Sequence, residues 1–438
     1  MRAALSGLTT RGRSFLAAGL AAAVCALLLG QQDLLRIGVL LAGLPLASVF
    51  VVARTRYRLA CSRRLQPIRV PAGQKAQVVL HLENVSRLPT GVLLIEDHVP
   101  YVLGSRPRFV LDRVQPRGVR DVAYPVRSDV RGRFPLGPLS IRLTDPFGMC
   151  ELNRSFSARD HLIVTPVVHP LASISLGGEW SGNGESHARA VAAAGEDDVA
   201  AREYRHGDDL RRVHWRSTAR RGELMVRREE QPWQSRCTLI LDTRAIAHRG
   251  DGPGSSFEWA VSAAASVGLH LAQAGFAVRL LTDTGAAVSS AGHDPANAGT
   301  DFEGMLLDTL AIATLSSGET LTRGVDAFRR TGGDGLLVAV LGSMAGEDTE
   351  ELTRLRHGTT SALAFLIDTP SWVFRPDGSR YTGGEALDGN ARLLRNAGWR
   401  VVRVRSSDSL PSLWPEAARS ARSDASVPAT TATTGDTA

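Results

Sequence analysis

Lysine is almost missing from this chain. Lys75 is the only one, so the 51 basic residues are nearly all arginine. Cysteine is sparse as well. Cys25, Cys61, Cys150 and Cys237 match no Cys-x-x-Cys zinc pattern and no tight disulfide framework. Such scattered thiols fit a reducing compartment. The histidines are dispersed, and His-Glu-x-x-His, Gly-x-Ser-x-Gly, a phosphate-cradling glycine loop and Gly-x-Gly-x-x-Gly are all missing from any suitable context. The common hydrolase, kinase and dehydrogenase designs are therefore disfavoured.

What the chain does have is enough apolar material for cores. Its 438 residues are 43% hydrophobic and 22% charged, which suggests two or three domains and excludes wholesale disorder and collagen-like repeats. The formal charge of +7 suits a nucleic acid, an anionic membrane face or an acidic partner, and equally a coding bias toward arginine.

Residues 1–64 read as a membrane hairpin. Ser14 to Gly30 is an unbroken apolar and small-residue run, interrupted by Gln31, Gln32 and Asp33. A second run, Leu34 to Ala53, carries only Arg36 as a charge. Spans over 14–30 and 34–53 approach the roughly 20 helical residues that a hydrocarbon core requires. Arg11 and Arg13 before an apolar stretch also fit a signal peptide, but the immediate second span favours a hairpin. Arg2, Arg11 and Arg13 precede the first span, and Arg54, Arg56, Arg58, Arg63 and Arg64 follow the second. The positive-inside rule then puts both ends, and the large remainder, in the cytoplasm.

Residues 65–170 read as an antiparallel β-sandwich. Gln77 to Asn84 alternates with Val78, Leu80 and Leu82 on one face. Val92–Ile95, Phe109–Leu111, Val119–Val126 and Leu139–Leu143 read as further strands between turn residues. Arg131-Gly132-Arg133-Phe134 and Asp145-Pro146-Phe147-Gly148 read as tight turns whose glycines supply positive φ. Residues 171–199, rich in glycine, serine and alanine, read as a flexible connection.

The densest polar segment lies within 200–235. It includes Tyr204, Arg205, Gly207, Asp208, Asp209, Arg211, Arg212, His214, Trp215, Arg216 and Arg220. Asp208 or Asp209 is placed to cap a helix that Gly222 ends. Three uses compete. A buried or interfacial polar network could hold the segment in place through Arg205, Asp208, His214 and Trp215. The arginines could bind carboxylate or phosphate groups. Asp208 and His214 could be an acid–base pair, although no nucleophile or metal set accompanies them.

This run, together with Arg131-Gly132-Arg133-Phe134, Leu136-Gly137-Pro138-Leu139 and Asp145-Pro146-Phe147-Gly148, resembles the bacterial domain of unknown function 58 family. An N-terminal hairpin is typical of that family, and the resemblance covers the chain except its tail. It implies a von Willebrand factor A-like domain after the signature. It also implies pairing with a MoxR-type AAA+ ATPase and a transglutaminase-like membrane protein. No enzymatic activity is established for the family as a whole.

Residues 236–406 read as α/β without the resemblance. Strands at 237–241, 277–281, 336–341, 362–367 and 400–404 alternate with helices at 257–274, 301–313, 321–330, 347–357 and 386–397. That order implies a parallel sheet covered on both sides. Ligands of such folds bind beyond the carboxyl ends of strands, where Asp242 stands. Metal-binding von Willebrand A-like domains carry Asp-x-Ser-x-Ser there, with a distant threonine and aspartate. This chain has Asp242-Thr243-Arg244-Ala245-Ile246, and Gly342-Ser343 after a later strand. Arg244 would put positive charge where a cation should sit, so Asp242 is expected to pair with an arginine or cap a turn. Asp368 is a weaker candidate at another strand end. Residues 407–438, poor in large apolar groups after Trp414, read as disordered.

The function expected from these features is a membrane-anchored, cytoplasm-facing scaffold or adaptor touching membrane lipid and, by the resemblance, the ATPase. No cofactor is implied. A metal-assisted hydrolase using Asp208, His214 or Asp242 is the alternative. Nucleic-acid binding comes last, because only Tyr204 and Trp215 could stack within the arginine-rich run.

Overall fold

The computed structural model describes residues 7–54, 59–87, 89–145, 147–173, 201–204, 215–227, 236–289, 298–331, 335–355, 361–373 and 384–419. The chain divides into two units between Pro166 and Val167, and each is described by itself.

The first unit begins with two helices, α1 (Thr10–Leu29) and α2 (Gln32–Arg54), both long and apolar enough to cross a bilayer. The first starts four residues before the apolar run because Thr9 caps it, its hydroxyl accepting from Gly12 N at 3.2 Å. Gly30, in the left-handed region at φ 63°, ends it. The helices meet through small residues: a Cβ on Gly19 would lie 2.5 Å from Ala42 N, and one on Gly38 would lie 2.7 Å from Ala23 N. Gly19/Ala23 and Gly38/Ala42 are thus facing small-xxx-small pairs, which bring backbones into van der Waals contact where lipid supplies no hydrophobic drive. The outer faces carry exposed Leu20, Leu27, Leu28, Val39 and Leu40. Arg36 pairs with Asp33 at 3.0 Å near the hairpin turn.

Among the described residues ten strands follow, in three sheets. They are β1 (Leu59–Gln66), β2 (Arg69–Pro71), β3 (Lys75–Asn84), β4 (Leu93–Asp97), β5 (Arg108–Leu111), β6 (Val119–Arg127), β7 (Gly132–Leu136), β8 (Leu139–Thr144), β9 (Glu151–Phe156) and β10 (Asp160–Thr165). Their orders are β1-β3-β6, β5-β4-β8-β9 and β2-β10-β7. The period-two pattern of β3 buries Ala76, Val78, Leu80 and Leu82 against Leu93 and Ile95 of β4, Ile141 of β8 and Leu162 of β10. Two expectations are corrected. The module is not wholly antiparallel, since β2 pairs in parallel with β10. Gly132 to Leu136 is a strand rather than a turn, because β10 offers it a full edge to bond.

A buried arginine ties the sheets together. Arg63 on β1 donates from Nε and Nη2 to Asp97 at 3.1 and 2.7 Å, and from Nη1 to Asp160 at 2.9 Å and the Leu136 carbonyl at 3.2 Å. Tyr124 Oη donates to Asp97 at 2.6 Å. Burial, with this bond to Asp97, pushes the Tyr124 phenol up. Burial likewise pushes the nearby Cys61 thiol up to about 11. Arg63 is therefore removed from the set of membrane-facing charges to which its position in sequence assigned it. Its partner is Asp97, not a lipid.

The second unit contains a small motif of β11 (Ala201–Glu203) and β12 (Met225–Arg227) in antiparallel pairing, with the short α3 (Trp215–Arg221) between them. The main body is a sheet in the order β15-β14-β13-β16-β17-β18. Its strands are β13 (Arg236–Leu241), β14 (Ala277–Thr282), β15 (Ala287–Ser289), β16 (Leu336–Leu341), β17 (Ser361–Ile367) and β18 (Arg400–Val404). Every pairing is parallel except that of the edge strand β15, a correction to the wholly parallel sheet expected. The helices are α4 (Ser256–Gln273), α5 (Ala298–Ile312), α6 (Thr322–Thr331), α7 (Gly346–Thr353), α8 (Glu385–Asn396) and α9 (Leu410–Arg419). All six residues of β16 are buried, as a strand covered on both faces requires.

The last of these helices corrects the disordered tail over residues 407–419, while 420–438 lie outside the described residues. Leu410, Leu413, Trp414 and Ala417 recur at helical spacing and are buried with Phe365 and Val404. Few apolar residues suffice when all fall on one stripe. Trp414 Nε1 also donates to the Ala172 carbonyl at 2.9 Å. Val168 and Leu171 pack on the same core, so the start of the expected connection belongs to this unit. Its remainder, 174–199, lies outside the described residues. Trp414→Ala should destabilise this unit by about 3–5 kcal/mol, read as a lowered unfolding midpoint in denaturant. Unchanged stability would contradict a packed α9.

Candidate functional site

The strand order reverses between β13 and β16, so the loops leaving their carboxyl ends part and leave a crevice, the usual ligand position of such sheets. Here Asp242 leaves β13, and Gly342 and Ser343 leave β16. Arg244 fills the crevice from within the chain.

Its five N–H groups are all engaged. Nε donates to Asp242 Oδ1 at 2.9 Å, and Nη2 donates to Asp242 Oδ2 at 2.9 Å and to the Ser343 carbonyl at 3.4 Å. Nη1 donates to Asp348 Oδ2 at 2.7 Å and to the Glu319 carbonyl at 2.9 Å. Arg244 is 1% exposed and Asp242 0%. Burial by itself would lower the pKa of the guanidinium, but the bonds to Asp242 and Asp348 outweigh it and hold the cation more firmly than in water. The planar fork of arginine makes this possible, since lysine could not serve acceptors in these directions.

The carboxylates are held in turn. Asp242 also accepts from Arg244 N at 3.1 Å and Gly342 N at 3.2 Å. Asp348, in the first turn of α7, accepts from Leu321 N at 3.0 Å and gains from the helix dipole. Asp283, following β14, accepts from Thr243 N at 2.9 Å, from the Thr243 hydroxyl, and from Ser316 Oγ at 2.6 Å. His248 Nε2 donates to the Asp242 carbonyl at 2.9 Å, which leaves Nδ1 to accept from Ser256 Oγ at 3.2 Å. Burial lowers the His248 pKa despite the Asp242 carbonyl.

Asp242 thus pairs with an arginine, and that arginine is two residues away. The donor set does not fit a divalent cation: both Asp242 oxygens already serve the guanidinium, and a second positive charge there would meet Arg244 at bonding distance. Among the described residues no cluster of histidine, cysteine, aspartate and glutamate is placed to hold a metal ion. Asp283 and Asp348 escaped the sequence reading. Asp283 carried a signal, an acid straight after a strand. Asp348 carried none, because its helix alone brings it back. Asp368 is buried at the end of β17, with no hydrogen bond to Oδ1, and it shares no bond with this cluster.

The arginine-rich segment is only partly in view. Arg205, Gly207, Asp208, Arg211, Arg212 and His214 lie outside the described residues. Tyr204 is half-buried, and its N–H donates to the Leu224 carbonyl at 2.8 Å. Trp215 is 72% exposed on α3, and its expected partners Arg205, Asp208 and His214 lie outside the described residues. Arg220 is exposed, and Gly222 at φ 75° ends the helix with its N–H on the Thr218 carbonyl at 2.9 Å.

Residues 200–371 match the family model described as "Protein of unknown function DUF58". The "Uncharacterized protein YeaD" of Bacillus subtilis is 26% identical over 278 residues, spanning 60% of this chain and 64% of that relative. Among solved structures, the CARDB domain of the PF1109 protein from Pyrococcus furiosus, in complex with di-metal ions, is 12% identical. It covers 25% of this chain and 90% of that one, at a TM-score of 0.20. A chain of the human complex between zinc 2-glycoprotein and prolactin inducible protein is also 12% identical, covering 25% of this chain and 98% of that one, at a TM-score of 0.20. Scores this low assign no fold.

Arg244→Met should cost about 3–5 kcal/mol in denaturant unfolding, because it strands buried carboxylates, and Arg244→Lys should recover only part of it. A loss below about 1 kcal/mol would show that the cluster is solvated. For His248 the sign follows from its lowered pKa. Its contribution is complete above the unfolded value near 6.5 and is lost as pH falls through the folded value. The melting temperature should therefore drop below about pH 6.5, and His248→Gln should flatten that acid limb. An unaltered slope would assign the titration elsewhere.

Proposed function

Starting from a chain that is a DUF58 family member, we propose that it is a membrane-anchored scaffold or adaptor that works by contact rather than by catalysis. The observation that carries this reading is the closed crevice. The position where an α/β sheet ordinarily receives a ligand is filled by Arg244, with every donor satisfied. Asp242, one of the residues a metal-assisted hydrolase would use, is committed to that arginine, so no observation favours the enzyme.

The second unit is proposed to be von Willebrand factor A-like, with Arg244 standing in for the cation that metal-binding members of that class hold. Its strand order and the carboxylates at the strand ends support this reading. Ile246 and Leu315 are exposed next to the Ala245–Ser316 hydrogen bond. The anchor is the α1–α2 hairpin, with the bulk of the chain on the cytoplasmic side by the positive-inside rule. The resemblance supplies the proposed partner, a MoxR-type AAA+ ATPase, together with a transglutaminase-like membrane protein. The arginine-rich segment with exposed Trp215 is the proposed docking element.

Crosslinking in native membranes, followed by recovery of the full chain, tests this proposal. The ATPase should be enriched with the parent protein and lost when Arg205, Arg211 and His214 are all replaced by alanine. Undiminished recovery would remove that segment as the docking element, and turnover of a substrate by the purified chain would remove the scaffold reading altogether.

A further inference from the structure

The Asp145–Cys150 turn has no part in the proposed contact surface, yet it is built firmly onto the start of α1. Thr9 N donates to the Met149 carbonyl at 2.9 Å, and Thr9 Oγ1 donates to the Gly148 carbonyl at 2.7 Å. Glu151 N donates to the Gly7 carbonyl at 2.7 Å. Leu8 and Cys150 form an antiparallel bridge and bury a small apolar cluster with Val49 of α2. A Cβ on Gly12 would overlap the Met149 carbonyl oxygen, so glycine is what allows this close approach. The turn is therefore fixed level with the first turn of α1 and the last turns of α2.

Asp145 also holds the turn from within. Asp145 accepts from Phe147 N at 3.2 Å and Cys150 N at 2.7 Å, and Gly148, at φ 68°, donates to the Asp145 carbonyl at 3.0 Å. The Phe147 side chain is left outside, 61% exposed. Arg11 reaches the same turn, with Nη1 4.0 Å from where a Gly148 Cβ would be. Arg11 and Arg13 are exposed and have no carboxylate partner among the described residues. Glu151, the nearest other acid on this stretch, is taken by Arg142 at 2.8 Å. An exposed aromatic ring on a hydrogen-bonded turn, at the end of an apolar helix pair and near arginines with no carboxylate partner among the described residues, has the composition of a bilayer interface.

We propose that this turn is a membrane-interface anchor. Phe147 seats among the headgroups and upper acyl chains of an anionic bilayer, and Arg11 and Arg13 bind lipid phosphates. The sandwich is then held to the membrane by the turn as well as by the chain following α2. This rests on the reading that α1 and α2 span the bilayer, and the test separates the two claims.

The full chain is reconstituted in phosphatidylglycerol–phosphatidylethanolamine vesicles containing lipids brominated at shallow or deep acyl positions. Phe147→Trp, Leu20→Trp and Tyr101→Trp are compared by tryptophan quenching. All seven native tryptophans follow residue 170, so the parent spectrum is a common background to subtract. Leu20 lies mid-span on α1. Tyr101 follows the end of β4 that pairs with Leu139, whereas the turn follows the opposite end of β8. The tryptophan at 147 should be quenched most by shallow bromines, the one at 20 by deep bromines, and the one at 101 by neither. Replacing phosphatidylglycerol by phosphatidylcholine, or combining Arg11→Gln with Arg13→Gln, should weaken quenching at 147 and leave that at 20 unchanged. Quenching at 20 without quenching at 147 would overturn the anchor and leave the span intact. No quenching at 20 would overturn the span and the anchor with it. Equal quenching at 147 without the arginines would overturn their role as phosphate ligands.

Discussion

A cation buried away from water must be surrounded by acceptors, and Arg244 shows what that requirement does to a fold. Its guanidinium draws together the loop after β13, the carbonyls of Glu319 and Ser343, and the first turn of α7. Desolvating such a charge is expensive, and an apolar cluster could hold these loops at least as well. Once the charge is there, however, each acceptor becomes obligatory. The loops are therefore fixed in direction as well as in proximity. The same arrangement recurs in the first unit, where Arg63 lies between Asp97 and Asp160 and joins the sheets of the sandwich. In both cases a planar fork between two aspartates does what a lysine could not.

The consequence for function is that the ordinary ligand position of the α/β sheet is built as structure. Exposed apolar side chains are found elsewhere: Ile246 and Leu315 near Ala245, Trp215 on α3, and Phe147 on the turn against α1. The two helices fit each other through glycine and alanine and present leucine and valine outward, an arrangement suited to lipid on every side. This is the arrangement on which the proposed scaffold role rests.

Much of the architecture was legible because it rests on local periodicity. The apolar runs of α1 and α2, the alternation of β3 and the continuous apolar stretch of β16 each state their element and their buried face. Helix α9 was missed because its stripe is only four residues, Leu410, Leu413, Trp414 and Ala417, in a polar, alanine-rich context. Such a stripe is decisive only when a core lies beneath it. The Arg131–Phe134 segment was misread because glycine and arginine resemble a turn until a neighbouring strand supplies an edge.

Asp242 shows where the two levels of information part. Its place after an apolar strand, with Arg244 two residues on, determined by sequence alone that a cation site there would be disrupted. Which other groups complete the cluster was decided by tertiary structure, because Asp348 and Glu319 lie 104 and 75 positions from Arg244 and follow no local pattern. Likewise the sequence marks Arg63 as one more positive charge after an apolar run, and only packing turns it inward onto Asp97 and Asp160. Periodicity is a property of neighbours along the chain and can be read there. The pairing of buried charges depends on which distant segments share a low-dielectric interior, and that is settled when the sheets close.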